Sequence, residues 1–229
     1  SPVVFASPHS GSFYPKDFLN LSRLDPHNLR KSEDSFVDEL FNGAPIKGAT
    51  LIRANYPRAY LDVNREAWEL DPHMFHDTLP EYVNKRSSRV NSGLGTIARI
   101  VSVGAEIYKE KLKFSDALDR INKLYFPYHK ELARLLEITR NRFGFAVLVD
   151  CHSMPSIGGP MDQDRGRARA EIVLGDRYGT SCSPILTGMV EQALTSMGYK
   201  VRRNSPYAGG YVTKNYGCPD QGVHTLQIE

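Results

Sequence analysis

The chain has 229 residues, 41% hydrophobic and 24% charged, with a net charge of +3 from 29 basic and 26 acidic side chains. That is enough chain for one large α/β domain or two small ones with a substantial core. A net charge so small excludes nucleic-acid binding driven by bulk charge. No apolar run approaches the ~18 residues of a membrane span, so no membrane association is expected. Three cysteines, none in a C-x-x-C pair, argue against a disulfide framework and point to a reducing compartment, the cytoplasm. No basic leader opens the chain. Both ends read as cut, because a strand begins almost at once at Val3 and another stops at Glu229, so the sequence reads as the ordered part of something longer.

In chain order, Val3–Ala6 reads as a strand that breaks at the turn-forming cluster Pro8-His9-Ser10-Gly11. Asp34–Phe41 carries Phe36, Val37, Leu40 and Phe41 at helical spacing. Thr50–Ala54 reads as a second strand and Ala59–Asn64, alternating in polarity, as a third. Residues 71–95 have little periodicity and read as a loop-rich insertion. Ala105–Leu112 and Ser115–Asn141 read as helices, the second with an apolar stripe, an N-cap at Ser115, a kink at Pro127 and a terminator at Gly144. Phe145–Asp150 is an unbroken apolar run ending in a carboxylate, the pattern of a strand buried on both faces. Glu171–Gly175, Lys200–Arg203 and Val223–Glu229 read as further strands, with an amphipathic helix over Ser183–Gly198. Strands alternating with helices imply an α/β fold on a parallel or mixed sheet. Without a repeat or linker, a single domain over 1–229 is expected.

Groups able to do chemistry follow the strands. His9 comes after the first, and Asp150, His152 and Ser153 close the Phe145 run, at the strand ends where open α/β sheets place ligands. Two imidazoles and one carboxylate make the usual catalytic zinc site, with a position left for water, and a further carboxylate is needed to take a proton. Asp34, Asp38, Glu39, Asp62, Asp150 and Glu229 are the acids available. Each histidine is equally readable as a solvated loop residue, and Asp150 either orients an imidazole or caps the next turn. A metal-free hydrolase using Ser10, Ser153 or Cys151 lacks a G-x-S-x-G elbow.

Five segments in order, Pro8-His9-Ser10-Gly11, Val37-Asp38-Glu39-Leu40, Asp62-Val63-Asn64-Arg65, Val149-Asp150-Cys151-His152-Ser153 and Asn204 to Glu229, resemble the N-formylglutamate amidohydrolase family. The likeness runs over nearly the whole chain. It implies a zinc carboxypeptidase-like (phosphorylase/hydrolase-like) fold, a mixed, mostly parallel sheet with helices on both faces. By that resemblance His9 and His152 are zinc ligands. Carboxypeptidases take their third ligand from H-x-x-E, but here that position is Ser12. Asp38 is then the expected carboxylate ligand, on a helix face shared with Asp34, while Glu39 points about 100° away. Asn64-Arg65 resembles the pair that holds a substrate's terminal carboxylate, the alternative being an ion pair to Asp62 or Glu66. Arg58 is expected at the oxyanion, with Arg53 as its substitute. Glu229 resembles the catalytic base, and Tyr207 a tyrosine that reaches the substrate from a loop made pliable by Gly209-Gly210.

The resemblance thus implies zinc-dependent hydrolysis of N-formyl-L-glutamate to formate and L-glutamate, in histidine breakdown. The rivals are a related zinc enzyme acting on another N-acyl amino acid or short peptide, and a non-catalytic carboxylate-binding relative. The expected partner is a small anionic substrate. Oligomeric state is not legible.

Overall fold

The computed structural model describes residues 1–101 and 103–229. The apolar run after Gly144 becomes strand β3 (Ala146–Cys151), five of whose six residues are buried. It pairs in parallel with β1 (Val3–Ser7) on one side and β6 (Val223–Ile228) on the other. β2 (Thr50–Arg53) flanks β1 in parallel. Beyond β6 the direction reverses, because β4 (Ile172–Gly175) pairs with it antiparallel and carries β5 (Val201–Arg203) parallel to itself. The order is β2-β1-β3-β6-β4-β5, a mixed and mostly parallel sheet. The edge strands β2 and β5 contain no fully buried residue, as expected where one flank meets solvent.

The chain divides into two compact units. The first, residues 1–7, 36–53 and 131–229, holds the whole sheet. Val37 and Phe41 pack there with Val149 and Cys151 of β3. The helix over Pro184–Ser196 contributes Leu186, Val190 and Leu194 to a second cluster with Leu174, Cys182 and Leu226. Its N-cap is Ser183, whose hydroxyl accepts the N–H of Ile185 at 3.3 Å.

The second unit, residues 8–35 and 54–130, is built from short helices and long irregular segments. Its core holds Phe18, Leu29, Leu61, Leu70, Ile97 and Ile107, all 2% exposed or less. Arg120 is buried within it and stacks over Tyr60 at 4.1 Å while donating to Tyr60 O and Tyr108 Oη. Burial opposes a charged guanidinium, but these acceptors and the ring faces offset that cost.

Two expected elements are absent. Residues 59–64 form turns rather than a strand. The N–H groups of Tyr60 and Leu61 both reach Pro57 O, and the Asp62 carboxylate accepts the N–H of Asn64 at 2.8 Å, so side chain and turn use the groups a strand ladder needs. Residues 105–112 are not helical. Ile107 N–H goes to Arg99 O and Lys109 N–H to Leu21 O, so neighbouring segments replace the i→i−4 ladder. The insertion at 71–95 contains a 3-10 turn (Pro72–Met74) and a short helix (Ser88–Asn91). The long helix over 114–143 is continuous, with a π segment at Ile121–Tyr125 just before Pro127. Proline has no N–H to donate to the carbonyl four residues back, which favours that local change of period. Ser115 lies inside the helix, whose N-cap is Lys113. Among the described residues no helix is long and apolar enough to cross a membrane.

Candidate metal centre and substrate groups

Two residues past β1, His9 is 2% exposed. Its carbonyl accepts the N–H of Asp34 at 3.1 Å, and Asp34 Oδ2 lies 3.4 Å from its Nδ1. Its Nε2 faces Asp62 Oδ1 at 2.8 Å. Gly11 fixes this turn closely, since a Cβ there would stand 2.3 Å from Tyr56 O. At the end of β3, Asp150 is fully buried and its Oδ1 lies 3.1 Å from His152 Nε2. His9, Asp34 and His152 each offer one ligand atom, and these atoms all lie within 4.8 Å of one another. The two histidines, 143 positions apart in sequence, thus stand together.

A carboxylate behind each imidazole has a chemical consequence. The Asp62 carboxyl is pushed up by its burial, but Arg65, His9 and Arg58 outweigh this and hold it well below the usual carboxylate range. An anionic Asp62 at His9 Nε2 needs a proton there, which leaves the Nδ1 lone pair for a cation. Two imidazoles and a carboxylate, all buried, form a donor set suited to zinc, and to manganese, cobalt or iron.

The carboxylate with the imidazoles is Asp34, not Asp38. The expected helix over 34–41 covers only Val37–Leu40, because Phe36 adopts a left-handed φ of 66° and breaks the run. Asp34 therefore lies outside the helix, and Asp38 turns to Arg53 at 2.8 Å. That ion pair also occupies the residue expected to substitute for Arg58.

Around Asp62 the chain gathers guanidinium groups. Arg58 Nη2 lies 3.0 Å from Asp62 Oδ2, and Arg65 Nη2 3.5 Å from the same oxygen. Arg65 also donates from Nε to Leu94 O and from Nη1 to Asn64 O, both at 2.8 Å. A guanidinium has five N–H groups, so one remains on each terminal nitrogen. Burial pushes Arg65 down to about 10 despite the Asp62 charge, and Arg58 and Arg89 push the same way. The ion pair to Asp62, the alternative to a substrate clamp, is present, and Asn64 is buried.

In the sheet unit, Glu229 follows β6 and its Oε1 accepts from Gln227 Nε2 at 2.8 Å. Tyr207 Oη accepts from Arg169 Nη1 at 3.1 Å, and the guanidinium lies 5.2 Å from its ring centroid. Burial pushes the Tyr207 phenol up to about 12; Arg169 opposes this, while Asp162 and Glu229 add to it. Tyr207 and Glu229 are thus electrostatic neighbours. Gly209, at φ 123°, is needed for the loop between them, since a Cβ would stand 2.8 Å from Thr213 Cγ2. Cys151 is no nucleophile, because burial and then the Asp150 charge push its thiol well above the usual range.

Residues 1–229 match the family model described as N-formylglutamate amidohydrolase. The chain belongs to the N-formylglutamate amidohydrolase family. A crystal structure of the N-formylglutamate amidohydrolase of Ralstonia eutropha superposes with a TM-score of 0.89 at 38% identity, covering all of this chain and 81% of that one. N-formylglutamate deformylases of Pseudomonas aeruginosa and Pseudomonas putida are each 26% identical over 231 residues, covering all of this chain and 79% of the relative. A structure from Agrobacterium tumefaciens, 19% identical with a TM-score of 0.71, shares the fold.

Sequence reasoning placed His9, His152 and the Asp62–Arg65 segment but did not see Asp62 as the partner of His9. The signal was the Asp-x-Asn spacing of a side-chain-capped turn, which fixes an acid in place. It also passed over Gln227 and Thr213, although a glutamine flanked by Leu226 and Ile228 is a polar residue in an apolar strand.

Proposed function

We propose that this member of the family hydrolyses N-formyl-L-glutamate to formate and L-glutamate, using one zinc ion held by His9, Asp34 and His152. The observation that carries this reading is the buried set of two imidazoles and one carboxylate within mutual ligand reach, each imidazole backed by a second carboxylate. The names of the Ralstonia and Pseudomonas relatives support the substrate. Zinc in such a set supplies Lewis acidity at the formyl oxygen and lowers the pKa of water to about 7.

The chain's own groups do the rest. Glu229 takes a proton from the attacking water as its oxygen bonds to the formyl carbon. When the C–N bond breaks, the same carboxyl passes that proton to the leaving amine. Arg58 faces the developing oxyanion. Arg65 binds the α-carboxylate through its two remaining N–H groups, with Asn64 beside it. Arg89 meets the side-chain carboxylate, and Tyr207 donates to the bound substrate. Two guanidinium groups at Asp62, with Arg89 acting on one of them, suit a dianion. The same reading places the enzyme in the cytoplasm, in histidine breakdown.

The test is turnover of N-formyl-L-glutamate by zinc-loaded and by chelated protein, beside N-acetyl-L-glutamate and an N-formyl amine without carboxylates. We expect activity lost on chelation, restored by zinc, and strongest for N-formyl-L-glutamate. Activity indifferent to chelation would remove the metal from the scheme. Equal turnover of the uncharged amide would remove the guanidinium clamp.

A further inference from the structure

Gln227 lies in β6, 4% exposed, beside the 2% exposed Leu226. An apolar side chain would fill such a place at less cost, since a buried carboxamide must have both ends bonded. Both are. Oε1 accepts the backbone N–H of Gly210 at 2.7 Å. A backbone N–H can only donate, so this contact fixes which end of the amide is oxygen. Nε2 is thereby turned to Glu229 Oε1 at 2.8 Å, and it can only donate.

The arrangement continues inward. Thr213, fully buried on the helix over Tyr211–Tyr216, has its Oγ1 3.4 Å from Gln227 Oε1 and 3.2 Å from Asp150 Oδ2. A hydroxyl has one proton. The nearer acceptor is a carboxylate, which makes the stronger bond, so the proton goes to Asp150 and Gly210 N–H holds Gln227. Asp150 Oδ1 in turn stands behind His152 Nε2. Gln227 is thus bonded to Glu229 and Thr213 to Asp150, two separate pairs that both lie within the sheet unit.

We propose that Gln227 is a positioning residue whose amide holds the Glu229 carboxylate in place. The proposal rests on the reading of Glu229 as general base. Substitution should therefore lower turnover without changing substrate affinity, because Gln227 reaches the reaction only through Glu229.

Two variants test it on the zinc-loaded protein with N-formyl-L-glutamate: Gln227→Met and Gln227→Asn. Gln227→Met keeps the length but makes neither bond. It should lower kcat roughly 10- to 100-fold, the range of outer-shell partners, with KM and zinc content within about two-fold. Gln227→Asn, too short for both bonds, should behave alike. A folded Gln227→Met with unchanged kcat would overturn the proposal, as would loss appearing only in KM.

A second measurement does not depend on turnover. In the nitrogen-15 spectrum of glutamine-labelled protein, the Gln227 side-chain amide should shift when Glu229 is replaced in Glu229→Ala. An amide signal indifferent to that replacement would overturn the proposal. A wild type that leaves N-formyl-L-glutamate intact would instead end the substrate assignment, and the amide spectrum would still decide whether Gln227 holds Glu229.

Discussion

The two imidazoles of the candidate metal centre are backed by carboxylates of opposite character. Asp62, behind His9, sits in an irregular turn with Arg58 and Arg65 on its other oxygen. Asp150, behind His152, ends a central strand and has a threonine hydroxyl on its other oxygen. One buried charge is compensated by cations, the other by a neutral donor on a rigid element. The difference teaches that the same task, placing an acid behind a histidine, can be met by charge balance or by scaffold geometry. The two solutions fail differently.

The sharpest way to break the comparison is to remove the acids. Asp62→Ala strands a buried guanidinium and should cost about 3–5 kcal/mol of stability, read by denaturant unfolding. A loss below about 1 kcal/mol would mean that the guanidiniums do not depend on Asp62. The same turn should carry the larger pH dependence. His129 Nε2 lies 2.9 Å from Val63 O, and burial pushes this imidazole down from 6.5 to about 4. Above pH 6.5 the ring is neutral in both states and its contribution is complete. As pH falls from 6.5 to about 4 the unfolded chain binds a proton that the folded one refuses, so up to about 3 kcal/mol is lost. Unfolding of His129→Gln should lack that slope between pH 6.5 and 4, and a variant with the wild-type slope would assign it elsewhere.

Asp150→Asn keeps the scaffold and should act on the metal. Zinc affinity, measured by competition with a chromophoric chelator, should fall roughly 10- to 100-fold. Unchanged affinity would separate Asp150 from the centre. The smallest effect belongs to Asp38→Asn. It breaks a pair whose arginine side chain is 60% exposed, so stability should move by under about 1 kcal/mol and zinc content should not move. A drop in zinc content would return Asp38 to the ligand set.

The same contrast explains what was legible in the sequence. β3, β6, the Pro184–Ser196 helix and the stripe leading into Pro127 each bury a periodic face, and periodicity is what a sequence displays most directly. His152, which the structure groups with His9 and Asp34, stood out because it follows such a strand. In the irregular unit the pattern misleads. Ala59–Asn64 alternates like a strand, yet its backbone is held by Pro57 O and the Asp62 side chain. Asp34 and Asp38 share a face only if the helix begins at Asp34, and one left-handed residue, Phe36, moves that start to Val37. Nothing in a 3.6-residue period announces such a residue when it is a phenylalanine.

The π segment at Ile121–Tyr125 has an effect beyond its own turn. It changes the rotational phase of all that follows: at its last residue the Tyr125 hydroxyl meets Arg65 O at 2.7 Å, and on the helix after it His129 meets Val63 O. Two rungs of one helix thereby gauge the carbonyls on either side of Asn64. The turn around Asn64 has no ladder of its own and inherits its shape from the winding of that helix, so inserting or deleting a residue upstream of Tyr125 would misalign the turn without touching it.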